Sequence, residues 1–236
     1  MLTQPVLASL QTDGFAIVND VFSESETEQI AALIQAEAQD SPLFRKSTDL
    51  FAIRQFFREI PKAVPLIFTP AFRELLTQTL GTAGFAVKAI YFDKPAASNW
   101  FVAWHQDLTI SVTERKEVPG YGPYTVKQNQ YAVQAPASLL EQMLTLRIHL
   151  DDTDEANGAL KVLPGSHAVG IERPEKLVSQ FTQESVCAVR KGGVMLMKPL
   201  LMHRSSRTTN GARRRVIHIE FSTAQLPQGL QWAERH

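Results

Sequence analysis

The sequence predicts a mainly β protein with helices on one outer face, a β-sandwich or jelly roll. Three observations carry this. Two capped helical patterns come first. After Gly84 the chain breaks into short apolar or alternating runs separated by turn residues. Two of these runs, LTLRIHL and RRRVIHIEF, alternate between apolar and polar positions. Helices followed by strands is the order of a layered domain with the helices packed on a sheet.

The elements follow in order. Asp13-Gly14 is a turn signal, and residues 15–18 after it read as a short strand. Ser23 with Glu26 three residues on forms a capping box, and Ile30, Leu33 and Ile34 make the apolar stripe of the helix it opens. Thr69-Pro70 places a cap before a Pro at the first helical position, and Gly81 ends this second helix. Phe72, Leu75, Leu76 and Leu80 give it a face to bury. Strands are expected over 85–92, 100–107, 143–150, 159–163, 193–197 and 215–221. The whole chain, 1–236, reads as one domain. Residues 1–83 form a mostly helical part packed on a barrel core at 84–225. Within that core the polar and aromatic stretch 113–141 contains Pro119-Gly120-Tyr121-Gly122-Pro123. A connection that long reads as a lid, since Tyr121, Tyr124 and Tyr131 are costly residues to leave loose.

Composition narrows the function. Hydrophobic residues at 44% and charged residues at 20% are ordinary for a soluble globular protein with a real core. A formal net charge of zero lacks the basic excess of a nucleic-acid or anionic-membrane surface, and Arg213-Arg214-Arg215 is too short to make one. The single cysteine, Cys187, excludes an intramolecular disulfide and fits a reducing compartment. The first residues show no signal-peptide pattern, and no run approaches the ~18 apolar residues of a membrane span. A cytoplasmic protein is expected. Oligomeric state has no signal in the sequence.

Strand parity assigns faces. In LTLRIHL, Leu144, Leu146, Ile148 and Leu150 share one face, and Thr145, Arg147 and His149 the other. In RRRVIHIEF, Arg215, Ile217, Ile219 and Phe221 oppose Arg214, Val216, His218 and Glu220. The polar faces meet either solvent or a lumen that holds a charged ligand.

WHQDL supplies the chemistry. His105 and Asp107 are two residues apart, so on a strand both point the same way and can serve one ion. His203, after the Lys198-Pro199 turn, is the leading third ligand, with His149 and His218 as competitors. Two His and one carboxylate leave open positions suited to non-haem Fe(II), and the same ligands would also suit catalytic Zn(II). Arg214, eleven residues beyond His203, is placed to clamp the distal carboxylate of a dicarboxylate, and Ser205 could add a hydroxyl.

Asn157-Gly158-Ala159-Leu160 and Leu163-Pro164-Gly165-Ser166-His167, between WHQD and His203…Arg214, resemble the phytanoyl-CoA dioxygenase family over residues 91–221. DGFAIVNDVFS near the start is similar as well. The resemblance implies a double-stranded β-helix (jelly roll, cupin-like) and an oxidoreductase dependent on Fe(II) and 2-oxoglutarate. It implies His105, Asp107 and His203 as iron ligands, with Arg214 and Ser205 on 2-oxoglutarate. Tyr91, Lys94, Thr145 and Arg147 remain candidates for the rest of that clamp. Gly158 and Pro164-Gly165 would be structural turns, and His167 a turn or surface residue. Halogenating relatives carry a small residue where Asp107 stands, so hydroxylation or a related oxidation of a small-molecule substrate by dioxygen is implied. Succinate and CO2 would be released, with ascorbate as a candidate auxiliary cofactor. Arg147 is a candidate substrate-binding residue for a carboxylate or phosphate, or else pairs with Glu220 or Asp151. A cupin-like binding protein without turnover and a zinc-dependent hydrolase or isomerase are the alternative readings.

Overall fold

The computed structural model describes residues 2–37, 44–46, 51–96, 100–127 and 130–236. In chain order the strands are β1 (Phe15–Val18), β2 (Phe44–Lys46), β3 (Phe51–Arg54), β4 (Phe85–Lys94), β5 (Val102–His105), β6 (Thr109–Val112) and β7 (Tyr124–Lys127). They continue as β8 (Gln130–Gln134), β9 (Leu144–His149), β10 (Leu160–Val162), β11 (Ser185–Cys187), β12 (Val194–Met197), β13 (His203–Ser205) and β14 (Arg214–Ser222). The helices are α1 (Gln4–Thr12), α2 (Glu24–Glu37), α3 (Phe56–Glu59), α4 (Ala63–Ile67), α5 (Pro70–Leu80), α6 (Ala137–Leu140) and α7 (Pro174–Gln180).

One sheet has the order β1-β12-β9-β14-β4-β3-β2 and a second the order β11-β10-β13-β5. All their pairings are antiparallel. The strands β4, β9, β12 and β14 face β5, β10, β11 and β13, which is the expected double-stranded β-helix.

Alternation decides which face meets what. Leu144, Leu146, Ile148, Ile217, Ile219 and Phe221 pack in one cluster with the helices. Phe221 meets Phe72 of α5 and Phe68 just before it at ring distances of 6.2 and 6.3 Å. Burying one such ring contributes about 2–3 kcal/mol. The capping box at α2 is present: the Ser23 N–H donates to Glu26 Oε2 at 2.7 Å, and the Glu26 N–H to Ser23 Oγ at 3.3 Å. Thr69 caps α5 by accepting from the Phe72 N–H at 3.3 Å. The opposite face of the large sheet is divided. Met195 and Met197 fill half the space between the sheets with Val162, Cys187 and Leu201. Beside it lies a polar lumen lined by Arg147, Arg214, His218 and Glu220, with Thr145 and His149 buried on the same face of β9.

The stretch 113–141 departs from expectation. With β6 it builds a three-stranded sheet, β6-β8-β7. Val133, Leu139 and Leu140 bury a separate core there with Ile110, Val112 and Trp232. Among the described residues, none of 113–141 lines the lumen cavity. Tyr121, Tyr124 and Tyr131 pack against this core.

Candidate metal centre

The β5–β13 pairing sets His105 directly opposite His203, and their rings lie 4.1 Å apart. Asp107 follows two residues after His105, and its N–H donates to the Pro199 carbonyl at 2.9 Å, fixing the backbone beyond the strand. Between the two, Gln106 turns outward. Its Nε2 donates to the carbonyls of Gly170 (2.8 Å) and Leu200 (2.6 Å), and its Oε1 accepts from the Glu172 N–H at 3.1 Å. The three ligand atoms of His105, Asp107 and His203 lie within 4.8 Å of one another. Each Asp107 oxygen faces one imidazole, Oδ1 at 3.9 Å from His105 Nε2 and Oδ2 at 3.8 Å from His203 Nε2. Ligands at about 2.1 Å from an ion and about 90° apart lie about 3 Å from each other, so a small inward movement closes this set on a metal.

The imidazoles are prepared for that role. Each Nδ1 lies 2.9 Å from a carbonyl two residues back, Ala103 for His105 and Leu201 for His203. The Nδ1 protons are thereby committed and the Nε2 lone pairs turned inward. Burial pushes His203 down to about 4, against the pull of Asp107, so it is neutral at pH 7. Burial acts to raise the Asp107 carboxyl, but His203, His218, Lys88 and His105 outweigh it and hold it well below the usual carboxylate range. Asp107 Oδ2 is buried without a hydrogen-bond partner, an orphan that a cation would satisfy.

The lumen beside these residues encloses about 420 Å³. Arg214 and Ser205 lie at one end of it, both buried, with Arg214 Nε and Ser205 Oγ unpartnered. Arg214 Nη1 donates to the Gly158 carbonyl at 2.5 Å. A Cβ on Gly158, whose φ is +82°, would fall 2.6 Å from the Ser206 carbonyl oxygen, so glycine is required for this approach. Burial, reinforced by Arg147, pulls Arg214 down to about 9, still charged at neutral pH. Thr145, expected in the same clamp, has an unpartnered buried hydroxyl but lies opposite Glu220 on β14 and is not among the residues lining the cavity, while Lys94 donates to the Ser206 carbonyl at 2.5 Å.

Other expectations are corrected. Tyr91 lies on the far side of β4 from the lumen, packed on Phe51 and Phe56, with its hydroxyl 3.4 Å from Asp93. It is therefore not among the residues that can touch a lumen ligand. Arg147 pairs with neither Glu220 nor Asp151: Lys88 engages Glu220 at 2.7 Å, and Arg215 engages Asp151 at 2.6 Å. Arg147 Nη1 instead donates to His218 Nδ1 at 2.9 Å. His149 contacts Thr153 at 2.8 Å and His167 the Gln11 carbonyl at 3.1 Å, and neither joins the ligand group. Sequence reasoning missed Gln106, and also Lys88, whose place on the lumen face followed from its even-numbered parity with Ile90 and Phe92.

Two facing antiparallel sheets enclosing two histidines and a carboxylate define a cupin-like fold with a facial metal site. The chain belongs to the phytanoyl-CoA dioxygenase family, whose model, described as Phytanoyl-CoA dioxygenase (PhyH), matches residues 10–216. Solved structures agree on the fold. EctD from S. alaskensis with bound Fe superposes with a TM-score of 0.70 at 18% identity, over 94% of this chain and 76% of that one. HygX from Streptomyces hygroscopicus with nickel and 2-oxoglutarate bound gives 0.68 at 15% identity, over 100% and 98%. The non-heme alpha ketoglutarate dependent carbocyclase SnoK from nogalamycin biosynthesis gives 0.67 at 15% identity, over 93% and 83%. No curated protein matches the sequence significantly. Among the described residues, no helix is long and apolar enough to cross a membrane.

Proposed function

We infer that this chain is a non-haem Fe(II)- and 2-oxoglutarate-dependent dioxygenase that oxidises a small molecule and releases succinate and CO2. The observation that carries the reading is the grouping of His105, Asp107 and His203 around an unpartnered buried carboxylate oxygen. Iron bound there with 2-oxoglutarate and dioxygen supplies an oxidant for an unactivated C–H bond. The chain supplies the rest. His105, Asp107 and His203 would hold the ion and leave its remaining positions to ligands. Arg214 and Ser205 receive the distal carboxylate of 2-oxoglutarate, and their unpartnered donor atoms support that role. Arg147 lines the same cavity and faces the space left for substrate. Neutral His203 binds a cation without first losing a proton. A cytoplasmic location belongs to the same reading, supported by the free, buried state of Cys187.

The test is succinate formation from 2-oxoglutarate in air, with ascorbate added to keep iron reduced. It should require Fe(II) and dioxygen, and His105→Ala should abolish it. Turnover of any substrate with Zn(II), without oxygen or 2-oxoglutarate, would overturn the reading in favour of a hydrolase or isomerase.

A further inference from the structure

Register along the large sheet divides the lumen into two ends. Arg214 and Glu220 lie six residues apart on β14, and β4 sets Lys94 and Lys88 beside them. At about 3.3 Å per residue the two positions are about 20 Å apart. The five-carbon chain of 2-oxoglutarate, with bonds of about 1.5 Å, spans about 6 Å. A cosubstrate held by Arg214 therefore ends well short of Glu220. His218 and Arg147, neighbours across β14 and β9, stand between the two ends.

The far end carries an ion pair. Lys88 and Glu220 both line the cavity, with Nζ 2.7 Å from Oε1. Burial acts to lower the Lys88 pKa, but Glu220 and then Asp107 outweigh it and raise it, so Lys88 is an ammonium near the ligand group. The hydrogen-bonding capacity of the pair is not used up. Of the three ammonium protons, one goes to Glu220 and a second faces the Thr109 carbonyl only at 3.5 Å. Glu220 Oε1 also lies 3.2 Å from His218 Nε2, while Oε2 has no hydrogen-bond partner among the described residues. The pair keeps a donor and an acceptor side by side at the cavity wall.

A charged ligand cannot use both. A carboxylate drawn to Lys88 would crowd Glu220, and an ammonium drawn to Glu220 would crowd Lys88. Pulling either partner away leaves the other uncompensated, at side-chain exposures of only 16% and 4%. An uncharged group that accepts from Lys88 and donates to Glu220 keeps the pair intact, and a hydroxyl or a carboxamide does so. Ile90 and Phe92, next on the same face of β4, give an apolar wall alongside.

We propose that the substrate is a small uncharged molecule whose hydroxyl or carboxamide bridges Lys88 and Glu220, with its hydrocarbon part along Ile90 and Phe92. The proposal rests on the iron and 2-oxoglutarate reading, which places the cosubstrate at Arg214. The small size follows from about 420 Å³ shared with the cosubstrate, near the lower end of the roughly 300–1,000 Å³ of small-molecule sites.

The experiment uses the full chain loaded with Fe(II) and saturating 2-oxoglutarate without oxygen, and follows perturbation of its visible charge-transfer band. One probe set is benzyl alcohol, benzamide, benzoate, benzylamine and ethylbenzene. The other is pentanol, pentanamide, pentanoate, pentylamine and hexane. In at least one set the alcohol or the amide should bind about tenfold or more tightly than the acid, the amine and the hydrocarbon. Whichever of the two leads names the group. Glu220→Gln leaves Lys88 without its countercharge and should turn the preference to the acid. Lys88→Met combined with Glu220→Leu replaces the pair by apolar side chains, which buried pairs tolerate, and the hydrocarbon should then overtake the alcohol and the amide. If Glu220→Gln does not fold, the double variant decides.

The proposal is overturned if no probe perturbs the band, or if in both sets the acid, the amine or the hydrocarbon binds as tightly as the alcohol and the amide. It is equally overturned if the variants keep the wild-type order of probes. A folded variant that needs much more 2-oxoglutarate to form the band would place the pair in the cosubstrate site and overturn it too. Absence of the band in the wild type would instead show that the underlying reading had failed, and the proposal with it.

Discussion

Replacing Arg214 by Met should stabilise the ligand-free protein while removing its response to 2-oxoglutarate. Burial beside Arg147 brings the guanidinium down to about 9, well below its ordinary value, a displacement representing on the order of 4 kcal/mol of uncompensated charge in the empty fold. Against this, Met loses the hydrogen bond to the Gly158 carbonyl and some packing, each about 1 kcal/mol. The balance is a gain of about 2 kcal/mol, or about 4–8 °C in Tm for a chain of this size. The pH dependence has a definite sign. This base has a folded pKa below its unfolded one, so its penalty is complete below about pH 9 and fades as pH rises above it. The stability gap between Arg214→Met and wild type should therefore narrow above pH 9. Binding moves the other way. Losing a buried guanidinium–carboxylate contact costs about 2–4 kcal/mol, which weakens 2-oxoglutarate by roughly 30- to 1,000-fold. Thermal melting with an inert divalent ion, with and without 2-oxoglutarate, reads both effects. A variant that melts well below wild type yet still rises with 2-oxoglutarate would refute the reasoning and make Arg214 a structural residue.

Three further outcomes follow from the same geometry. Gly158→Ala, which drives a Cβ to 2.6 Å from the Ser206 oxygen at a φ of +82°, should cost about 2–4 kcal/mol in chemical denaturation and weaken 2-oxoglutarate by displacing the carbonyl that holds Arg214. Gln106→Leu removes three anchors behind the ligand pair without touching the ion, and metal competition titrations should show affinity lowered about 10- to 100-fold. His203 has a folded pKa of about 4, below its unfolded value near 6.5, so the metal-free protein should lose on the order of 3 kcal/mol as pH falls from 7 to 4. Denaturation of His203→Leu across that range should lack this part of the slope.

The site was legible where the chain itself imposes geometry. A two-residue spacing on a strand aims His105 and Asp107 the same way, and strict alternation in residues 144–150 and 214–221 separated the helix-facing side from the lumen side. Parity could not say whether the polar side met water, because that depends on a second sheet built from separate segments of the chain. It also failed on β4. FAVKAIYFDK is apolar at both parities, since one face packs on helices and the other keeps Ile90 and Phe92 in the lumen. Tyr91 and Lys94, three residues apart on one strand, could not both face a ligand, and the structure turns Tyr91 outward. The 113–141 stretch misled for another reason. Its glycines and prolines read as a loop, while strands of four and five residues are too short to show a period. What orders them is a core shared with Trp232, about a hundred residues further on.

The most direct measurement of the central claim is visible absorption without oxygen as Fe(II) and then 2-oxoglutarate are added to wild type, His105→Ala and Arg214→Ala. The account predicts a charge-transfer band in the wild type, its loss in His105→Ala, and a much higher 2-oxoglutarate requirement in Arg214→Ala. A wild-type spectrum with no band at saturating iron and 2-oxoglutarate would contradict it, and would mean that WHQDL does not present its ligands to iron.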